Sequence, residues 1–186
     1  MDAALFLDRD GVIIVDHGYV HRIDQVEWMP GIFETARLAR RFGLSLIVVT
    51  NQSGIARRYY SEADFQALMA WMGDQFVAAG APLTRIYHCP YHPDGYPPYD
   101  RDADCRKPRP GMLLTAAREL RLDLAASVMI GDQEVDIGAA TRAGLRASAR
   151  LSAIPVESAA DIVLADHSAA CRWLTKLFSP IRHNEG

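Results

Sequence analysis

Four groups of side chains in this sequence are of the types that move phosphate. Asp8 and Asp10 stand two apart at the end of the apolar run Ala4, Leu5, Phe6, Leu7, with Gly11 after them. Side chains two apart leave a strand on the same side, so both carboxylates can converge on one small volume at the strand's carboxyl end. Thr50, Asn51 and Gln52 end a second apolar run, Arg106 and Lys107 sit in a long irregular stretch, and Asp132 and Asp136 follow another apolar run. A carboxylate attacks a phosphate monoester only when the repulsion between two anions is offset. A divalent cation on carboxylate oxygens, together with a lysine, supplies that offset. In such chemistry Asp8 is the candidate nucleophile, forming an aspartyl phosphate. Asp10 is the candidate acid that protonates the leaving alkoxide and then the base that deprotonates water. Asp132 joins Asp8 as a Mg²⁺ ligand with Asp136 behind it, Thr50 and the backbone after it contact phosphoryl oxygens, and Lys107 cancels charge.

Each group alone has a plainer reading. D-x-D-G is also a solvated turn, a lone lysine is usually surface, and G-D-x-x-x-D is also a helix cap. Their succession at strand ends and in the neighbouring loops carries the phosphoryl-transfer reading.

The elements that must position these groups follow from the apolar pattern. With 186 residues, 49% of them apolar and 23% charged, the chain can bury an ordinary core, and a single domain over 1–186 is expected. Short apolar runs over Ala4–Leu7, Leu44–Val49, Leu83–His88, Ser127–Ile130, Leu145–Ala149 and Asp161–Leu164 read as strands. Between them, helical patterns are opened by Pro30 and Gly31, by the capping pair Ser61 and Asp64, by Pro110 and Gly111, and by Asp132, and a last one runs from His167 to Phe178. The stripe Phe65, Leu68, Met69, Met72, Phe76 has helical period and is expected in the core. Strand and helix alternate throughout, which predicts a three-layer, Rossmann-like α/β fold with a mostly parallel sheet and its site at the strands' carboxyl ends. The spacing between the groups leaves no room for a cap domain. Residues 89–109, rich in Pro, Gly, Asp and Tyr, form a long loop of the kind usually kept for function, and 179–186 is a polar tail.

A net charge of −3 and a pI near 6.0 give no general attraction for nucleic acid or an anionic membrane, so neither is an expected partner. The first apolar run is too short for a signal peptide and no later run approaches a membrane span, which places the chain in the cytoplasm, as an expected monomer. Three cysteines without an export signal argue against a disulfide framework and leave metal ligation or burial.

The segments DRDGVI, VVTNQSG, DCRKPRPGM and IGDQEVDI resemble the four motifs of haloacid-dehalogenase (HAD) superfamily phosphatases, and VDHGYVH and NQSGIAR extend the likeness through most of the chain up to Gly144. The wording is similar to the subfamily that acts on heptose bisphosphates and histidinol phosphate. The resemblance implies the HAD fold and a Mg²⁺-dependent phosphatase. Its implied substrate is a phosphorylated sugar: first a heptose 1,7-bisphosphate losing its 7-phosphate on the route to nucleotide-activated heptose for lipopolysaccharide or capsule, with histidinol phosphate as the alternative. A silent binding module of the same fold and a nucleic-acid end phosphatase are the rivals from other classes. By resemblance Asp8 is nucleophile, Asp10 acid/base with a metal-binding backbone carbonyl, and Lys107 the neutralising lysine. Thr50, Asn51, Gln52 and Arg106 are phosphate or substrate contacts, and Asp132 is a Mg²⁺ ligand. An uncapped site takes its specificity from loops, where His17 and Arg57 are candidate substrate contacts and Arg57 with Arg58 could grip a second phosphate. The family's long loop often carries a structural Zn²⁺ on C-P-H-H and C-x-C. Here Tyr91 and Ala103 replace two of the four ligands, so a degenerate zinc site would rest on Cys89, His92 (or His88) and Cys105, with Asp102 or Asp104. Without zinc, packing of Tyr96, Pro97, Pro98 and Tyr99 has to hold the loop.

Overall fold

β1 (Ala4–Leu7) is buried at every residue, which a strand can be only inside a sheet covered on both faces. The chain continues through α1 (Ile32–Arg41), β2 (Ser45–Asn51), the single turn α2 (Ser53–Ala56), α3 (Glu62–Ala78) and β3 (Arg85–Cys89). After the long loop come α4 (Gly111–Leu120), β4 (Val128–Gly131), α5 (Glu134–Ala143), β5 (Ala147–Leu151), β6 (Ile162–Leu164) and α6 (His167–Phe178). This computed structural model describes residues 2–179; the polar tail expected over 179–186 lies, from 180 onward, outside the described residues. Among the described residues no helix is long and apolar enough to cross a membrane.

The six strands pair in the order β3-β2-β1-β4-β5-β6, every neighbour parallel. Chain order therefore reverses between β1 and β4. A parallel sheet opens a crevice at such a reversal, beyond the strands' carboxyl ends. Asp8 follows β1 and Asp132 follows β4, so the topology brings both to that crevice. The connection from β1 to α1 holds one short 3-10 turn, Ile23–Gln25.

Successive residues of the central strands face opposite layers. Leu5, Leu7, Leu46 and Val48 pack with the buried faces of α1, α3 and α6. Ala4, Phe6, Ile47, Val49 and Met129 pack with α4 and α5. The capping pair works as expected: Ser61 Oγ accepts from the Asp64 backbone N–H (3.1 Å) and Asp64 Oδ2 accepts from that of Ser61 (2.8 Å). Phe65, Leu68, Met69, Met72 and Phe76 are all buried, each stabilising the fold by about 1.5–3 kcal/mol.

The strands from β2 to β6 are shifted by one or two residues from the sequence pattern, and three departures have a local reason. Thr50 and Asn51 are the last residues of β2, paired with His88 and Cys89, because β3 is long enough to hydrogen-bond them. The turn α2, inside the polar stretch after them, has no apolar period to announce it. β5 starts at Ala147 because Leu145 is still held to α5, its N–H donating to Ala140 O (3.1 Å).

The last helix is fastened to the active-site end by a buried imidazole. Asp166 caps α6, its Oδ1 accepting from the Ala169 N–H (2.7 Å), and His167 follows, 1% exposed. His167 Nε2 lies 2.8 Å from the Val12 carbonyl, and Nδ1 lies 3.0 Å from Thr35 Oγ1 on α1. A carbonyl only accepts, so Nε2 carries the proton and Nδ1 takes the hydroxyl; the neutral ring is satisfied at both nitrogens. Gly31, at φ +87°, allows this approach, since a Cβ there would lie 2.8 Å from His167 Cβ. Burial holds the imidazole below its ordinary pKa. Unfolded histidine titrates near about 6.5, so this contribution is complete above that pH and is lost as the pH falls through it toward the depressed folded value. His167→Gln keeps a donor and an acceptor without titrating. Its urea midpoint is expected to drop less than that of the unaltered protein between pH 7.5 and 5.5, and equal drops would show that His167 is not the acid-sensitive contact.

Candidate active site

Lys107 is the centre of the constellation. Its Nζ lies 2.9 Å from Asp8 Oδ1 and 2.6 Å from Asp136 Oδ1, and donates to the Val49 carbonyl (2.8 Å). The loop that carries it is pinned to β2 by Asn51, whose Nδ2 donates to Lys107 O (3.1 Å) and whose Oδ1 accepts from Lys107 N (3.0 Å). From α5, Arg142 Nη1 donates to Pro108 O (3.0 Å). Asp136 sits in the first turn of α5 and its Oδ2 accepts from the N–H groups of Asp132 (3.2 Å) and Gln133 (3.1 Å). Helix-start amides and a lysine therefore engage both of its oxygens.

Asp132 faces the turn after Asp10. Gly11 is at φ +76°, and a Cβ there would fall 2.5 Å from Asp132 Oδ2, so only glycine lets the two segments meet. Asp132 Oδ1 is buried with no hydrogen-bond partner. Arg150 Nε donates to the Asp132 carbonyl (3.0 Å) and so holds the turn from β5. Asp10 is gripped from beside: Arg9 Nε lies 3.2 and 3.1 Å from its two oxygens, Arg9 Nη2 2.9 Å from Oδ1, and Gln52 Nε2 donates to Oδ2 (3.1 Å). Arg9, Asp10 and Gln52 border a cavity of about 420 Å³ whose wall also includes Asp8, Asp16, Tyr19, Arg106 and Lys107.

Burial dominates the electrostatics. It pushes the Asp8 carboxyl up to about 7, opposed by Lys107 and reinforced by the neighbouring carboxylates of Asp136, Asp10 and Asp132. Asp132 is pushed up to about 6, by burial and then by Asp136. Burial disfavours the Lys107 ammonium, but Asp8 and Asp136 outweigh it and hold Lys107 above its ordinary value. Four carboxylates thus face two buried cations, Arg9 and Lys107, leaving two negative charges. A divalent cation with a taste for hard oxygen ligands matches that residue of charge. Asp8, Asp132 and Asp136 offer oxygens within 4.8 Å of one another, and the unpartnered Asp132 Oδ1 is the atom such an ion would satisfy. Asp136 is already engaged, so Asp8 and Asp132 are the pair free to hold it.

The structure brings Asp8, Asp10, Gln52, Lys107, Asp132 and Asp136 together, sets Arg106 in the cavity wall beside them, and gives Thr50, Asn51, His17 and Arg57 other partners. Thr50 is buried and its Oγ1 accepts from Gln52 Nε2 (2.8 Å), so it orients Gln52. Asn51 borders the cavity, but its amide is committed to the Lys107 backbone. His17 turns outward to Glu27, with 2.8 Å between Nε2 and Oε2. Arg57 Nη2 lies 3.4 Å from His92 Nε2, outside the cavity wall, and it lowers the pKa of Arg106 after burial does, which puts the two guanidiniums near each other. Sequence patterns missed Arg9 and Tyr60, whereas Asp16 and Tyr19 belong to the loop 16–21, one of those from which an uncapped site takes its specificity. Arg9 was visible as a charged residue wedged between the two carboxylates, and Tyr19 as part of the segment VDHGYVH.

The zinc expectation is corrected. Cys89, at the end of β3, and Cys105 are joined as a disulfide with their Cα atoms 5.4 Å apart, so neither offers a thiolate. His92 Nδ1 accepts from the Asp94 N–H (3.1 Å) while its other nitrogen faces Arg57. The argument against a disulfide also fails: it weighed the number of cysteines and an assumed compartment, whereas pairing depends on which backbones the fold brings together. Aromatic packing supports the loop as well, through Tyr91 against Tyr99 (5.6 Å), Arg58 over Tyr96 (4.7 Å) and Tyr99 Oη donating to Glu62 (2.7 Å).

Comparison with known proteins agrees with this geometry. The profile of the HAD-hydrolase-like family matches residues 104–166. The D-glycero-β-D-manno-heptose-1,7-bisphosphate 7-phosphatase of Photorhabdus laumondii is 50% identical over 141 residues, 75% of each chain. The enzyme of that name from Escherichia coli K12 is 48% identical over 143 residues, 76% of this chain and 75% of its own. The crystal structure of D,D-heptose 1,7-bisphosphate phosphatase from B. bronchiseptica, complexed with magnesium and phosphate, superposes with a TM-score of 0.79 at 28% identity, covering 95% of this chain and 99% of that one. With relatives this similar over three quarters of its length, and with a six-stranded parallel sheet that gathers these acids around one lysine, the chain belongs to the HAD-like hydrolases and is a phosphatase of that superfamily.

Proposed function

We propose that the protein removes the 7-phosphate of D-glycero-D-manno-heptose 1,7-bisphosphate through a phosphorylated Asp8. The observation that carries the reading is Lys107 lodged between Asp8 and Asp136 beside the unpartnered oxygen of Asp132, in a chain about half identical to phosphatases named for that substrate. Lys107 and the Arg9 N–H (2.7 Å) both hold Asp8 Oδ1, which fixes the carboxylate for attack on phosphorus. Its attack breaks the bond between phosphorus and the C7 oxygen, and the Asp10 carboxyl gives its proton to the departing alkoxide. Asp10, now a carboxylate, takes a proton from water as the water oxygen attacks phosphorus. That step frees Asp8 and releases inorganic phosphate. Asp8, Asp132 and the Asp10 carbonyl would hold Mg²⁺, which would supply charge neutralisation for the incoming phosphoryl group. Lys107 holds Asp8 in place throughout and cancels part of the same charge.

The open cavity suits a polyol: Asp16 can accept from sugar hydroxyls, and Arg106, with Arg57 near it, can take the second phosphate. The reaction would serve nucleotide-activated heptose for lipopolysaccharide or capsule, in the cytoplasm where such sugars are activated.

Asp8→Asn is expected to lower kcat by at least about a thousandfold with KM little changed, and EDTA to abolish turnover until Mg²⁺ is restored. Steady-state phosphate release checks both; turnover surviving in Asp8→Asn would remove Asp8 as nucleophile. Comparing kcat/KM for heptose 1,7-bisphosphate and histidinol phosphate tests the substrate, and a preference for the second would overturn it. Arg106→Ala is expected to raise KM for the bisphosphate roughly tenfold, the worth of about one charge-assisted contact. The metal-free protein holds extra protons on Asp8 and Asp132, whose folded pKa values of about 7 and about 6 exceed the unfolded ones, so it loses stability as pH rises from about 4 toward 7. Mg²⁺ binds the deprotonated groups. The rise in Tm on adding saturating Mg²⁺ is therefore expected to be larger at pH 8 than at pH 5, and an equal rise would mean that these carboxylates do not hold the ion.

A further inference from the structure

Among the described residues Arg9 is the largest fully buried side chain, 1% exposed, and it stands between the two carboxylates that open the site. Burying a guanidinium is costly, and here one of its nitrogens, Nη1, has no hydrogen-bond partner, so the pair it makes with Asp10 is a poor way to add stability. Its geometry is better explained by what it does to its neighbours. The backbone N–H of Arg9 donates to Asp8 Oδ1 (2.7 Å), while its side chain turns back on Asp10, Nε meeting both oxygens and Nη2 meeting Oδ1. The fork is itself immobilised: Nη2 also donates to the Val20 carbonyl (2.9 Å), and the guanidinium lies over the Phe65 ring, 5.6 Å from its centroid.

A second line reaches the other Asp10 oxygen. Tyr60 is buried, and its hydroxyl, pushed up to about 12 mainly by that burial, remains a donor. It donates to Gln52 Oε1 (2.6 Å), which fixes the amide so that Nε2 faces Asp10 Oδ2 and Thr50 Oγ1. With Arg9 on one side and Gln52 on the other, both torsions of the Asp10 side chain are set, while 21% of that side chain stays open toward the cavity.

We infer that Arg9, assisted by the Tyr60–Gln52 line, is a positioning residue for proton transfer: it holds the Asp10 carboxyl at the angle from which it serves the leaving oxygen. A misaimed acid slows the reaction only where the leaving group needs a proton. The inference rests on Asp10 being the acid of the proposed mechanism, and the test separates the two.

The experiment follows the first turnover of the Mg²⁺-loaded protein by rapid quench, with heptose 1,7-bisphosphate, which departs as an alkoxide, and with 2,4-dinitrophenyl phosphate, whose phenolate departs unaided. The readout is the ratio of the two first-turnover rates, alkyl over aryl. Asp10→Asn is expected to lower that ratio by about 10²–10⁴-fold, the usual reach of general acid catalysis. Arg9→Met is expected to lower it about tenfold or more, and Arg9→Lys not to restore it, because an ammonium carries the charge without the fork. Tyr60→Phe, which keeps the buried ring, is expected to lower it about threefold through loss of one hydrogen bond, and it decides the matter alone if Arg9→Met fails to fold. An unchanged ratio in Asp10→Asn would overturn the acid assignment itself. A lowered ratio in Asp10→Asn with unchanged ratios in the Arg9 and Tyr60 variants would overturn the positioning role. Full restoration by Arg9→Lys would overturn it too, since charge alone would then suffice.

Discussion

Four carboxylates crowded at the ends of β1 and β4 are the constraint on which the rest of the structure turns. Two like charges 4 Å apart near a protein surface repel by about 4 kcal/mol, and a domain has only about 5–15 kcal/mol of stability in all. Such a cluster persists only if each charge is given a partner. Lys107 takes Asp8 and Asp136, Arg9 takes Asp10, and the amides at the start of α5 take the other oxygen of Asp136. What is left over is Asp132 with one oxygen unsatisfied, which is where the chemistry has room for a cation.

The partners come from far along the chain, and much of the fold exists to deliver them. Lys107 enters from the long loop and is registered against β2 by the paired hydrogen bonds of Asn51 and by the Val49 carbonyl, and against α5 by Arg142. The loop has its own fastenings, the Cys89–Cys105 disulfide at one end and the Tyr99–Glu62 contact with α3 in the middle. At the other end of the site, His167 ties α6 to Val12 in the turn that follows Asp10. The clustered acids thus stand at strand ends, while Asp16, Tyr19 and Arg106 of the cavity wall stand on loops.

The chemistry was legible because its spacing is local. Asp8 and Asp10 converge through the geometry of two consecutive alternate residues, and Asp132 and Asp136 through one turn of helix. The sheet was legible because each central strand is an unbroken apolar run that has to be covered on both sides. Contacts that depend on a partner distant in sequence were not legible. Thr50 and Asn51 have the right types for phosphate contacts, and the fold also gives each a second partner, Gln52 for the one and the Lys107 backbone for the other. The pairing of His17 with Glu27 at the surface is of the same kind. Arg9 passed unnoticed because an arginine in a turn is ordinary until its burial is known.

By itself the sequence determined the class of fold, the order of its strands and helices, and the charged side chains Asp8, Asp10, Lys107, Asp132 and Asp136 of the types a phosphoryl transfer uses, since these follow from side-chain type, periodicity and short-range spacing. Only the tertiary structure decided which carboxylate pairs with which cation, that Cys89 meets Cys105, and that Arg9 is enclosed against Phe65 with its fork on Asp10. Those outcomes are set by contacts between residues tens of positions apart, or, for Arg9, by how deeply the packed core surrounds it. Neither distance nor burial is written in any local pattern.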